Sequence, residues 1–147
     1  MSEIISNKKA YFNYEILETY EAGIELKGFE VKAVKIGRAN LVGAFVIIKN
    51  NEAWILNMDI PPYQVNNTPD GYEQTRTRKL LLNKNEIKEL LGKSQEQGLT
   101  IVPLKLYSKN GKVKVEIGLA RGKKSHDKRE TIKKREVDRE IRKTLTK

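Results

Sequence analysis

Leu99-Thr100-Ile101-Val102-Pro103-Leu104-Lys105-Leu106-Tyr107, Ser108-Lys109-Asn110-Gly111 and Lys112-Val113-Lys114-Val115-Glu116-Ile117-Gly118-Leu119-Ala120 form the stretch whose reading decides the fold. Asn-Gly is the strongest short-range hairpin signal. The tight turn that suits twisted strands needs a positive φ at both central residues, and Asn and Gly tolerate it. Past the turn, Val113, Val115, Ile117 and Leu119 alternate with Lys112, Lys114, Glu116 and Gly118. Successive strand side chains point to opposite faces, so the pattern predicts one buried apolar face and one face that presents lysines to solvent.

Working outward, a second hairpin is predicted from Ala44 to Lys49 and Glu52 to Met58, two apolar runs around Asn50-Asn51. Tyr11 to Tyr20 mixes aromatics with charged residues, as a half-exposed strand does. Glu21-Ala22-Gly23 reads as a turn, followed by a short strand at Ile24 and Leu26. Phe29, Ala33 and Ile36 share a face at helical spacing and Gly37 would end a short helix, but the segment is too short for periodicity to settle. Asp59 to Thr75, with Pro61-Pro62 and Pro69-Asp70-Gly71, reads as loop. One clear helix follows. Asn83 and Glu86 form a capping box, Ile87, Leu90 and Leu91 form its apolar face, and Gly98 suits its exit. About six short strands and one good helix predict a mainly β fold, a closed antiparallel barrel of the OB type.

Charge divides the chain. Of 147 residues, 29 are Lys or Arg and 19 Asp or Glu, a net of +10. Arg121 to Lys147 holds twelve basic and five acidic residues, a net of +7, which leaves +3 for the first 120. Residues 1–120 are therefore read as the barrel and 121–147 as a basic tail. The tail's apolar residues after Gly122 are Ile132, Val137, Ile141 and Leu145, and the last three fall on one narrow helical stripe. Such a stripe cannot hold a helix alone. The expectation is a segment disordered when free and helical on a partner, with an ordinary solvated tail as the alternative.

The excess positive charge suits a polyanion, because each phosphate neutralised releases counterions. With no cysteine, disulfide scaffolds, thiolate zinc sites and cysteine nucleophiles are excluded. The only histidine, His126, cannot supply a usual zinc set, and no phosphate-binding glycine loop is present. Neither a metal, a cofactor nor a catalytic residue is expected. Met1 to Ala10 has no apolar signal core, and no run approaches the roughly 18 apolar residues of a spanning helix. A soluble, cytoplasmic chain without membrane contact is expected.

Arg76, Arg78 and Lys79 cluster before Leu80-Leu81-Leu82, and Lys105, Lys109, Lys112 and Lys114 decorate the last hairpin with Tyr107 beside them. Basic groups with an aromatic neighbour suit backbone contact plus base stacking. A solvated sheet face is the plainer reading. An RNA-binding module thus stands ahead of an enzyme such as a ribonuclease.

The order of blocks goes further. Asn7-Lys8-Lys9-Ala10-Tyr11, Glu21 through Lys32, Gly37-Arg38-Ala39-Asn40, Arg76-Thr77-Arg78-Lys79-Leu80-Leu81-Leu82, Pro103-Leu104-Lys105-Leu106-Tyr107, Lys114-Val115-Glu116-Ile117 and Gly122 through Glu130 occur in one sequence. Together they resemble the SsrA-binding protein family, also called small protein B. The resemblance implies an OB-fold barrel with flanking helices and a C-terminal tail. It implies binding to the tRNA-like domain of transfer-messenger RNA (tmRNA) and delivery of that RNA to stalled ribosomes for peptide tagging and rescue. It also implies that the tail senses the empty mRNA channel near the decoding centre, and it suggests the elongation factor that delivers aminoacyl-tRNA as a further partner. A monomer is expected.

By position, Glu21, Leu81 and Lys114 match family residues implicated in tmRNA binding, with Arg76, Arg78 and Lys79 beside them. Lys114 is expected on phosphate. Leu81 packs under a base or ribose, or belongs to the core. Glu21 orients a basic neighbour or accepts from a ribose hydroxyl, or is only a turn residue. Gly122, Lys123, Lys124, His126, Asp127, Lys128 and Arg129 match the segment associated with ribosomal RNA. A general OB-fold RNA-binding or ribosome-associated protein is the alternative.

Overall fold

The structure, a computed structural model, describes residues 2–123 and Arg129. In chain order the elements are β1 (Ser2–Ser6), α1 (Lys8–Asn13), β2 (Tyr14–Ile24), α2 (Gly28–Lys35), β3 (Phe45–Lys49), β4 (Glu52–Leu56), β5 (Arg78–Leu81), α3 (Lys84–Gln97), β6 (Thr100–Lys109) and β7 (Lys112–Gly122). The strands follow the order β1-β6-β3-β4-β5-β2-β7, and β7 also pairs with β6. That last pairing closes a ring of six antiparallel strands, with β1 added to the free edge of β6. The barrel expected from the sequence is present, and its two hairpins are where the Asn pairs put them. Asn50 and Asn51 have φ of 54° and 60°, and Asn110 and Gly111 have 53° and 76°.

Two readings are corrected. Glu21-Ala22-Gly23 is no turn but lies inside β2, which runs unbroken to Ile24 and pairs with β7 from Tyr14↔Gly122 to Gly23↔Lys114. Turn-forming residues gave way to a long ladder on the neighbouring strand. Tyr11 begins no strand either, since Lys8–Asn13 is helical. The ambiguous segment at Phe29 is the helix α2, ending before Gly37 with φ 82°. The helix α3 keeps its expected ends. Asn83 Oδ1 accepts from Glu86 N at 2.8 Å, and Gly98 closes it with φ 63°. β7 continues through Gly122, and Lys123 N donates to Asn13 O at 2.9 Å.

The alternation of β7 turns Val113, Val115, Ile117 and Leu119 into the barrel, where they meet Ala22, Val46, Ile55, Leu80, Ile101 and Leu106. A second, smaller cluster lies outside the ring. Ala10 of α1 packs with Val102, Leu104 and Ala120, against Tyr14 and Ile16. This cover explains why Gly118, expected on a solvent face, is buried. A Cβ there would stand 2.9 Å from Leu104 Cδ1 and 3.1 Å from Ile16 Cγ2. Asn7 fixes α1 in place. Its backbone N–H donates to Leu104 O at 2.7 Å, its side-chain amide to Pro103 O at 2.9 Å and to Leu41 O at 3.3 Å, and its Oδ1 accepts from Ala10 N. The carbonyls of Pro103 and Leu104 belong to the part of β6 lying between its pairings with β3 at Ile101 and with β1 from Lys105, and that of Leu41 to the segment before β3. Buried carbonyls need a donor, and Asn7 supplies it.

The loop between β4 and β5 is organised by one buried charge pair. Glu30 of α2 and Arg78 of β5 are both fully enclosed. Arg78 Nε donates to Glu30 Oε2 at 2.8 Å. Its Nη1 donates to Met58 O and Arg76 O, and its Nη2 to Gln74 O and the Tyr72 hydroxyl. A guanidinium has five N–H donors in a fixed fork, and each finds an acceptor here. Glu30 also accepts from Arg76 and from Lys27 N. Phe29 stacks edge-on against Tyr72, with ring centroids 4.8 Å apart. Burial opposes the charge on Glu30, but the donors from Arg76, Lys27 and Arg78 outweigh it and hold the carboxyl at about 2.

Removing one member of a buried pair strands the other charge, at a cost of about 3–5 kcal/mol. Glu30→Gln is therefore expected to lower unfolding stability by about that amount in a urea titration, with Arg78→Ala similar. Because Glu30 titrates lower when folded than when unfolded, its contribution is complete above its ordinary pKa near 4.5 and is lost as the pH falls towards 2. The acid limb of the parent's stability curve should flatten in Glu30→Gln. Gly118→Ala should overpack the outer cluster, costing about 1–3 kcal/mol in the same titration.

Candidate nucleic-acid interface

Three residues scattered in sequence meet on the outside of the barrel. Leu81 of β5 and Lys114 of β7 both pair with Gly23 of β2, one on each side. Glu21 lies two residues back along β2, on the same outward side. The inward neighbours Ala22, Leu80, Val113 and Val115 are buried in the core, so pleating sends Glu21, Gly23, Leu81 and Lys114 outward. Leu81 is 49% exposed, so the core alternative does not hold for it. Gly23 makes the close approach possible, since a Cβ there would lie 3.2 Å from Leu81 Cβ. Gly23, Leu81 and Lys114, with Leu26, Val31 and Lys112, line a hollow of about 280 Å³. Its floor is apolar and its rim carries two ammonium groups, an arrangement that can hold a sugar or base edge beside a phosphate.

Glu21 is not free. Lys109 Nζ reaches its carboxylate at 3.2 and 3.3 Å. The Tyr107 hydroxyl and then Lys109 hold the Glu21 carboxyl below the usual carboxylate range. Burial, and then the bond to Glu21, push the Tyr107 hydroxyl upward. Tyr107, expected beside the lysines as a stacking surface, is 4% exposed, so its ring is not open to a base. It stands opposite Lys114 in the β6–β7 ladder, with its hydroxyl turned to the Glu21 carboxylate whose charge it favours. Lys105 pairs with Glu116 at 3.5 Å.

The arginine cluster divides. Arg78 is removed from the RNA-facing set, because its guanidinium is enclosed and its donors are all engaged within the loop. Arg76 is about a quarter exposed and spends its charge on Glu30. Lys79 is half-buried and reaches Glu52 at 3.4 Å. Sequence alone sees three cations in four residues. Glu30, the partner that absorbs two of them, sits 46 residues upstream of Arg76, with no local signal linking them. Gly23 also went unmarked as a site residue, for the same reason, and Lys109 was marked without its partner Glu21.

Of the tail residues, Gly122 ends β7 exposed, Lys123 is half-buried and Arg129 is exposed. Lys124, His126, Asp127 and Lys128 lie outside the described residues, as does the expected tail helix. A larger cleft of about 460 Å³ lies among α1, β3 and β6, but it gathers none of the candidate RNA-binding or tail residues. Among the described residues, no group of His, Cys, Asp or Glu could hold a metal ion, and no helix is long and apolar enough to cross a membrane.

A six-stranded closed barrel bearing an apolar hollow lined also by lysines, with a basic segment following its last strand, defines a nucleic-acid-binding barrel protein. Comparison with known proteins gives the family. A family model described as SmpB protein matches residues 4–147. The SsrA-binding protein of Mycoplasma mycoides is 55% identical over 95% of this chain and 95% of its own length. That of Thermosipho melanesiensis is 55% identical over 99% of each, and that of Gloeothece citriformis 51% over 97% and 92%. A solved chain described as "tmRNA-SmpB: a journey to the center of the bacterial ribosome" is 44% identical. It superposes with a TM-score of 0.70, covering 89% of this chain and 95% of that one. The chain belongs to the SmpB family.

The geometry makes Gly23 a test of the hollow. Gly23→Val places bulk against Leu81 and should reduce RNA affinity while the melting temperature falls only modestly. Parallel filter binding and thermal melts would check it.

Proposed function

We propose that this chain binds the tRNA-like domain of tmRNA and delivers it to stalled ribosomes for trans-translation. The family match over residues 4–147 carries this reading, since the curated relatives are SsrA-binding proteins and the solved relative is a tmRNA–SmpB complex on the ribosome. The barrel supplies a face for it. Lys114 meets phosphate at the rim of the hollow, and Leu81 packs beneath a base or ribose. Glu21 holds Lys109 beside Lys114 and can accept from a ribose hydroxyl once Lys109 turns to the RNA. Lys79 extends the basic edge along β5, and Arg76 stands at the margin of the set. The segment from Gly122 to Arg129, with Lys123, Lys124, His126, Asp127 and Lys128, continues towards ribosomal RNA near the decoding centre and senses the empty mRNA channel. No chemical step is required of the chain; its work is recognition and placement.

The testing experiment is an anisotropy titration against the isolated tRNA-like domain at physiological salt, with an ordinary elongator tRNA as competitor. Preference for the tRNA-like domain is expected, and equal binding to both would sink the reading. Lys114→Ala should weaken binding several-fold and reduce the slope of log affinity against log salt by about one. An unchanged slope would take Lys114 off the phosphate backbone. Removing residues 124–147 should leave this binding intact, because the ring and its outer row are complete without them. It should abolish tagging of peptides on stalled ribosomes in a reconstituted translation assay.

A further inference from the structure

The outer face of β3 and β4 carries an apolar cluster that the core does not use. Phe45 and Ile47 on β3, and Trp54 and Leu56 on β4, alternate with the buried Val46, Ala53 and Ile55. The ladder sets Phe45 opposite Leu56 and Ile47 opposite Trp54. Phe45 is exposed and the other three are half-buried. Ile47, Trp54 and Leu56, with Lys49, Asn50 and Thr77, line a hollow of about 370 Å³. A sheet with one face on the core ordinarily turns polar residues outward. Here the outward positions of two adjacent strands are apolar, and contiguous apolar surface of this kind marks a contact site.

Two observations choose the occupant. The first is charge. Lys79 stands opposite Trp54 on the other side of β4, Lys49 closes β3, and the carboxylate among them, Glu52, is taken by Lys79. An aromatic ring flanked by ammonium groups suits an unpaired nucleotide, with its base stacked and its phosphates neutralised. The second is continuity. Lys79 and Leu81 point outward two residues apart on β5, and Leu81 adjoins Gly23 and Lys114. The hollow at Trp54 and the row from Leu81 to Lys114 are two ends of one outer surface.

We propose that the hollow around Trp54 is a second RNA site, which takes an unpaired nucleotide of tmRNA flanking its tRNA-like domain. Trp54 stacks on the base, and Lys49 and Lys79 meet the neighbouring phosphates. The site rests on tmRNA as partner and on the Glu21–Leu81–Lys114 row as its first contact.

Trp54 is the one tryptophan of the chain, so its fluorescence reports on this hollow directly. The full chain is titrated with full-length tmRNA and, separately, with the isolated tRNA-like domain, while anisotropy of the labelled RNA follows binding. Full-length tmRNA should quench Trp54 in step with binding, and the isolated domain should bind without quenching. Trp54→Leu keeps apolar volume but not a stacking plane. It should lose roughly ten-fold in affinity for full-length tmRNA and nothing for the isolated domain, with Trp54→Phe restoring most of the loss. Urea titrations of both variants separate this from misfolding. Unchanged Trp54 emission at RNA saturation, equal quenching by the isolated domain, or parent-like tmRNA binding by Trp54→Leu would each overturn the site. So would quenching that requires added ribosomes, which would make the ligand ribosomal RNA. If the parent chain fails to bind either RNA, the partner itself is wrong. If it binds, and loses affinity in Lys114→Ala while Trp54 stays silent, only this second site falls.

Discussion

The pairing of β7 along both its edges is the constraint on which the rest depends. One strand of eleven residues is hydrogen-bonded to β6 on one side and to β2 on the other. Closing the ring this way abolishes the open edges that an unpaired sheet would expose. It also makes the candidate surface. Leu81 and Lys114 are separated by thirty-odd residues and a helix, yet the ring leaves only Gly23 between them. The site is a consequence of closure, and three strands far apart in sequence contribute to it.

The buried Glu30–Arg78 pair does a different job. The segment from Met58 to Thr77 enters the core through Met58 and Ile60, but it has few backbone partners of its own beyond them. Arg78 gathers Met58, Gln74 and Arg76 by their carbonyls and Tyr72 by its hydroxyl. One side chain thereby ties several points of a long connection to the barrel wall, beside the backbone bridge of Asn40 with Asp59. The same arrangement changes how the positive charge is to be counted. Two of the cations that look most suited to RNA are engaged by one carboxylate and Lys79 is paired with Glu52, so Lys114 and Lys112 carry a larger part of the barrel's surface field than the sequence suggests.

Much of this was legible beforehand. The hairpins at Asn50-Asn51 and Asn110-Gly111, the caps of α3 and the barrel class all follow from short-range patterns with a direct physical cause. The failures share the opposite property. β1 was invisible because Ser2–Ser6 holds only the pair Ile4-Ile5 among polar residues, too little for a strand pattern, and becomes a strand by pairing with the far end of β6. Glu21-Ala22-Gly23 carries turn residues but is held extended by β7. Arg78 and Tyr107 looked like surface groups, because nothing near them in sequence shows the partners that enclose them. Of the candidate site, the identity of Glu21, Leu81 and Lys114 came from resemblance to a family. Their convergence, and the part of Gly23 in it, came from the ladder.

The anchoring of the last strand has a mechanical side. β7 leads into the C-terminal segment, and Lys123 is still tied to Asn13 where the strand ends. A pull on Lys123 along the line of β7 loads both of its ladders in shear. Hydrogen bonds across two edges must then give way together, whereas a hairpin pulled open from its end loses them one at a time. The barrel is built to resist tension on its tail, so force arriving there is passed to the whole ring as a rigid body and not spent in peeling a strand away.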